Sequence, residues 1–210
     1  MSLMNRASLV SLVLLAACNG SDDRSQGELG QRLAEPTTLA IQATSSADIH
    51  GVDTSGHDVE VGPLVVTSGT ITVQRNPDGD IVVQNLVVHL ADVTADDGSL
   101  ADHPVTLTDL TVSLGGMIVL DDPWSLSGET ARGGRPARLE LDWSLVDQDG
   151  QHTALGRQEL AHAPLEVQLY AEPDGSVRAH VSASLAGRVM GNWGVELRDF
   201  AMDLSATDGE

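Results

Sequence analysis

From Leu39 onward, apolar residues recur at every second position, and short turn signals punctuate the runs. The clearest run is SVRAHVSASLAGRV, in which Val177, Ala179, Val181, Ala183, Leu185, Gly187 and Val189 share one parity. Arg178, His180, Ser182, Ser184 and Arg188 share the other. A period of two is the signature of a strand with one face in a core and one in water. ARLELDWSLVD repeats the pattern with Leu139, Leu141, Trp143 and Leu145. These runs last about 10 to 14 residues, where ~5–6 is usual for a strand. Long strands in series predict a barrel or a strongly coiled sandwich.

The turns are explicit. NPDGD (Asn76 to Asp80) and EPDGS (Glu172 to Ser176) each join two apolar runs. Proline presets φ at the first turn position, and Asp-Gly supplies the left-handed positions of a hairpin. VDTSGH (Val52 to His57) and VDQDGQH (Val146 to His152) form a second pair.

Set in order, these signals describe a repeat. Residues 37–120 and residues 137–206 follow the same sequence of strand, turn, strand, PDG turn, strand, loop and closing strand. The closing strands are VTLTDLTVSL (Val105 to Leu114) and VELRDFAMDL (Val195 to Leu204), both V-x-L-x-D-[LF]-x-[VM]-x-L. Val105 and Leu107 have one parity, whereas Leu110, Val112 and Leu114 have the other. One extra residue, a β-bulge at Thr108-Asp109, puts all five on one face, and Arg198-Asp199 does the same in the second copy. The alternative is that Asp109 and Asp199 work as a pair of acids.

The expected fold is therefore all-β. It has about eight long antiparallel strands from two four-stranded meander repeats, closed as a lipocalin-like barrel or stacked as a β-sandwich. A surface crossover over residues 121–136, rich in Gly, Pro and polar residues, joins the repeats. Residues 37–210 make a single β domain.

Composition narrows the partners. The chain has 210 residues and a formal charge of -20, its eleven basic residues are all Arg, and aromatics make up 2%. The core must then be Val, Leu, Ile and Ala. Such acidity repels phosphate backbones and anionic headgroups, which argues against nucleic acid and against a basic membrane-binding face. A membrane-spanning barrel is also disfavoured, because the outward positions carry Arg, His, Ser and Asp instead of an apolar band with aromatic girdles.

The N-terminus carries a different signal. MSLMNR holds one positive charge, at Arg6, and ASLVSLVLLAA is too short for a bilayer span but suits the apolar region of an export signal. It ends in Leu15-Ala16-Ala17-Cys18, and Cys18 is the only cysteine. These residues resemble the bacterial lipoprotein signal, whose lipobox reads L-[AS]-[GA]-C. The resemblance implies removal of residues 1–17 by cleavage between Ala17 and Cys18, and acylation of Cys18, which anchors the protein to the membrane. It also makes residues 18–36, polar and Gly/Ser-containing, a lipidated flexible tether. A short helix over Glu28 to Ala34 would be marginal alone. In enterobacterial lipoproteins an Asp after the cysteine retains the protein at the inner membrane. Asn19 stands there instead, which points to an outer-membrane location facing periplasm or surface. An ordinary signal peptide with a chance cysteine is the competing reading.

Candidate chemistry is sparse. His50, His57, His89, His103, His152, His162 and His180 are scattered, with no spacing that converges ligands on a metal. Asp147-Gln148-Asp149-Gly150 has part of a calcium loop but lacks the bidentate glutamate at the twelfth position. No nucleophile elbow, phosphate loop or dinucleotide fingerprint occurs, so neither a catalytic residue nor a cofactor is expected. Arg132, Arg135 and Arg138 in the RGGRPAR stretch read as a basic loop that balances local charge. Trp143 belongs to a strand's apolar face, whereas Trp124 and Trp193 fall in connections and are candidates for a ligand or partner rim.

The functional expectation is a lipid-anchored cell-envelope protein with a non-catalytic β domain, a binding or structural module for an envelope protein. The alternative is a carrier that encloses a small hydrophobic or lipid ligand in its barrel. A continuous apolar cavity of several hundred cubic ångströms separates the second from the first.

Overall fold

A computed structural model describes residues 28–52, 58–95, 105–120, 130–146, 149–190 and 196–208. The elements are α1 (Glu28–Arg32), β1 (Thr37–Ile41), β2 (Ser46–Val52), β3 (Asp58–Arg75), β4 (Ile81–Leu90), β5 (Val93–Ala95), β6 (Val105–Leu114), β7 (Ile118–Val119), β8 (Thr130–Val146), β9 (His152–Ala171), β10 (Val177–Met190) and β11 (Glu196–Thr207). All pairings are antiparallel.

The described chain is all-β apart from α1, and its strands close into a ring of eight. Starting from β2, each of β3, β4, β6, β8, β9, β10 and β11 pairs with the one before, and β11 returns to β2. The remaining strands complete interrupted ones. β1 continues the line of β2 alongside β3 and also touches β11, with a tight turn between them in which Ser45 N–H donates to Gln42 O at 3.0 Å. β5 continues β4 alongside β6, and β7 continues β6 alongside β4. The ring order follows the chain order, as a meander of two successive four-stranded halves requires.

Alternation places the core inside the ring. In β10, Val177, Ala179, Val181 and Ala183 are buried, whereas Arg178, His180, Ser182 and Ser184 reach the surface. In β8, Leu139, Leu141 and Trp143 are buried, so Trp143 is a core residue. Each Val, Leu or Ile removed from water contributes roughly 1.5–3 kcal/mol. One continuous cluster contains these residues, and its largest fully buried side chains include Leu64, Ile71, Leu86, Leu107, Leu110 and Leu141.

The two PDG turns are built alike. Asn76 N–H donates to Asp80 O at 2.9 Å and Gly79 N–H to Asn76 O at 3.0 Å. Glu172 N–H donates to Ser176 O at 2.9 Å and Gly175 N–H to Glu172 O at 2.9 Å. Gly79 and Gly175 have φ of 96° and 97°, a region that a side chain resists.

The bulge read from parity in VTLTDLTVSL is present. Thr108 faces Ser144 and Thr111 faces Asp142, which leaves one extra residue on β6. Asp109 takes a φ of 56° there, and Leu107, Leu110 and Val112 all end up buried. In β11 the register slips between Leu197 and Asp199 opposite Gly51 and His50, again by one residue. These two bulges lie at the seams between the halves, β6 against β8 and β11 against β2, and further register shifts lie within each half. A third bulge had no parity signature strong enough to read. His162, with a φ of 61°, lies between buried Leu160 and Ala163 opposite Ala137 and Leu139.

Two expected boundaries move. The flexible tether over residues 18–36 does not extend that far, because α1 docks on the end of the ring and Leu29 and Leu33 are 0% exposed. A helix this short has no stability of its own, but two leucines four residues apart share one face and fill the ring's open end. The docked segment is tied by Arg75 N–H to Leu33 O at 2.7 Å and by Thr37 Oγ1 to Arg32 O at 3.2 Å. The crossover over residues 121–136 also shrinks, since β8 starts at Thr130 and RGGRPAR is strand. Thr130 through Ala137 pair with Tyr170 through Ala163, and Pro136 stands opposite Pro164 beside the third bulge, where missing N–H donors are tolerated. Residues 121–129 lie outside the described residues.

Candidate functional site

One interior void lies between β4, β8 and β9. The void under Ile81, Leu120, Ala131, Gly133, Val167 and Leu169 has no volume for even a water molecule. The small residues of β10 are thus part of tight packing: Ala179 is 0% exposed and Ala183 4%.

Room lies on the outside instead. A groove of about 280 Å³ crosses the outer wall over β9, β10, β11 and β2. Register explains its shape. Glu166, Ser182, Asp203 and Ser46 form one outward row across the four strands, because Ser182 pairs with both Glu166 and Asp203, and Asp203 pairs with Ser46. The neighbouring row holds Ser184 opposite Ala201, and Ala201 opposite Asp48. Small side chains form the floor, and the carboxylates of Asp48, Glu166 and Asp203 form the walls. Arg132 Nη2 lies 2.9 Å from Glu166 Oε2, and His180 Nε2 lies 2.7 Å from Asp203 Oδ1. The His180 pair is an ion pair only when the imidazole is protonated. Such a lining accepts hydrogen bonds and disfavours anions.

A second charged cluster sits on β8 and β9. Arg157 reaches Glu140 at 2.7 Å and Asp142 at 3.2 Å, while Arg138 reaches Glu140 at 3.2 Å and donates to Gly115 O at 2.7 Å. The hydrogen bond to Asp142, then the charges of Asp142 and Glu140, raise the Arg157 pKa further above its usual value. This network is exposed and pairs its charges internally, as local charge balancing expects. Arg135 donates to Val119 O at 3.4 Å, across the break between β6 and β7.

The candidate residues fall as follows. Ala17, Cys18, Trp124 and Trp193 lie outside the described residues. Asp109 is exposed, accepts a hydrogen bond from Thr108 Oγ1 at 3.3 Å, and sits on β6, across the ring from β11, which carries Asp199. The two bulges therefore do not share a seam. His89, near Thr111 Oγ1 at 3.2 Å, is exposed on β4, and His152 and His162 are exposed ten positions apart on β9. Among the described residues, no three His, Cys, Asp or Glu side chains are placed to share a metal ion, and no serine hydroxyl is hydrogen-bonded to a histidine. No helix among them is long and apolar enough to cross a membrane. The outer wall of β8 to β11 is charged and hydroxylated, opposite in sense to the apolar band of a membrane barrel. Val65 and Met117, at 59% and 66% exposure, are the exposed large hydrophobic residues of the described chain.

The groove was not readable in the sequence, because its walls come from residue 48 and residues 166 to 203. The one available signal was the outward run of small polar residues Ser182 and Ser184. Protein-family models, curated proteins and solved structures show no match to this chain.

Proposed function

We propose that this chain is a lipid-anchored bacterial cell-envelope protein whose β ring is a non-catalytic binding or structural module. The observation that carries the reading of the ring is where the space lies. The void under Ile81, Leu120 and Val167 has no room for a water molecule, whereas recesses of about 280 and 260 Å³ lie open to solvent, one across β9, β10, β11 and β2 and one beside Gln74, Arg75 and Pro77. That favours a module that meets partners with its outer wall over a carrier that encloses them. Leu15-Ala16-Ala17-Cys18, with no other cysteine in the chain, supports the anchor. Asn19 supports placement in the outer membrane.

Native mass spectrometry of the delipidated protein, purified from a bacterial host, tests the module reading. The mass expected is that of the chain alone. A co-purifying lipid or other apolar molecule in stoichiometric amount overturns it in favour of a carrier. The anchor is tested by the mass of the N-terminal peptide, which should begin at an acylated Cys18, and Cys18→Ser should abolish the acylation.

A further inference from the structure

We propose that the helix-capped end of the ring faces the bilayer, and that the domain's own acidity holds it off the lipid surface. The proposal rests on the lipid anchor at Cys18 and adds an orientation to it. Because the ring is a meander, its connections divide cleanly between two ends. The turns 76–80 and 172–176, the start of β1 and the end of β11 share one end. The connections after β2, β5, β8 and β10 share the other.

The helix is locked to the first end. Leu29 and Leu33 plug it, Arg75 N–H and Gln74 Nε2 bond to Leu33 O and Ala34 O, and the Arg32 guanidinium lies against Gly175 of the 172–176 turn at the same end. Only nine residues, ten Cα–Cα steps, separate Cys18 from Glu28. At ~3.3–3.6 Å per extended residue, they span at most about 35 Å. The twenty residues of β9 run from one end to the other. At ~3.3 Å each, and even tilted by ~35–45°, they set the far end several tens of ångströms beyond. An anchored chain therefore cannot turn its far end to the membrane without undocking α1.

The near end is acidic. Asp78, Asp80, Asp174 and Asp208 surround it, against Arg32 and Arg75. Anionic headgroups repel such a rim within about a Debye length, ~10 Å at 0.1 M salt. The lipid surface is thus the neighbour of this end but not its ligand.

Energy transfer in vesicles tests both parts. The full-length lipidated chain carries a donor dye at Asp78→Cys on the near end or at His152→Cys on the far end, and the vesicles carry a headgroup acceptor. Position 78 should transfer several-fold more efficiently than position 152. On anionic vesicles its transfer should rise with added salt, and on zwitterionic vesicles it should not. Equal or reversed transfer overturns the orientation while leaving the anchor intact. Transfer at position 78 that falls with salt on anionic vesicles overturns the stand-off. If the chain does not bind vesicles, or binds equally well as Cys18→Ser, the anchor itself fails and the orientation fails with it.

Discussion

Cutting back Leu33 probes how α1 is held. Leu33 and Leu29 are 0% exposed, and each is worth roughly 1.5–3 kcal/mol of burial. Ordering a segment this short costs backbone entropy that opposes its docking, and the hydrogen bonds from Arg75 and Thr37 offset part of that cost. The loss from a truncation is therefore capped when the segment lets go. Leu33→Ala should cost about 2 kcal/mol, at the low end of the 2–5 kcal/mol usual for a buried Leu→Ala. The double variant Leu29→Ala/Leu33→Ala should cost little more, because the helix is already released. Urea unfolding gives the totals. Hydrogen exchange reports the mechanism, since the Arg75 amide bonds to Leu33 O. Its exchange should accelerate in both variants, while the β9–β10 amides stay protected. Additive losses near 8–10 kcal/mol, with the Arg75 amide exchanging only through global unfolding, would refute the picture of a cap that lets go.

Three further outcomes follow from local geometry. Asp109 has a φ of 56°, so Asp109→Val should lose ~1–2 kcal/mol and Asp109→Gly should be near neutral, measured by the urea midpoint. Ser45 Oγ accepts from Ser205 N–H at 3.0 Å and ties the first strand to the last, so Ser45→Ala should cost ~1–3 kcal/mol in the same measurement. The Asp174 carboxyl is held below its ordinary value, first by Ser176 N–H at 2.9 Å and then by Ser176 Oγ at 2.7 Å. A depressed carboxylate contributes stability above its unfolded pKa of ~3.9 and loses it as pH falls through the lower folded value. The Ser176 amide shift, followed by NMR, should therefore titrate below the range of a free Asp, and Asp174→Asn should abolish that titration.

Much of the fold was legible because strand chemistry is local. Outward Arg178 and inward Ala179 follow from the pleat alone, and the parity break around Asp109 exposes an extra residue before any partner strand is known. The third bulge escaped because Leu160-Ala161-His162-Ala163 holds only one large apolar residue, too little to show a change of parity. RGGRPAR reads as a loop on Gly and Pro content, and only pairing with β9 draws it into a strand. The groove was hidden for another reason. Ser46, Ser182 and Asp203 become neighbours through ring closure, which no window of sequence contains.

The sequence by itself determined the all-β class, the inward and outward faces, the two PDG turns and the displaced register at Asp109, since each depends on residues within a few positions of one another. Tertiary structure alone decided that the eight strands close into one ring, that Leu29 and Leu33 cap it, and that serines and carboxylates from four strands line a groove on its outer wall. Those outcomes depend on how surfaces far apart in the chain fill space together, and the hydrophobic effect, which drives that filling, has no directional code along the chain.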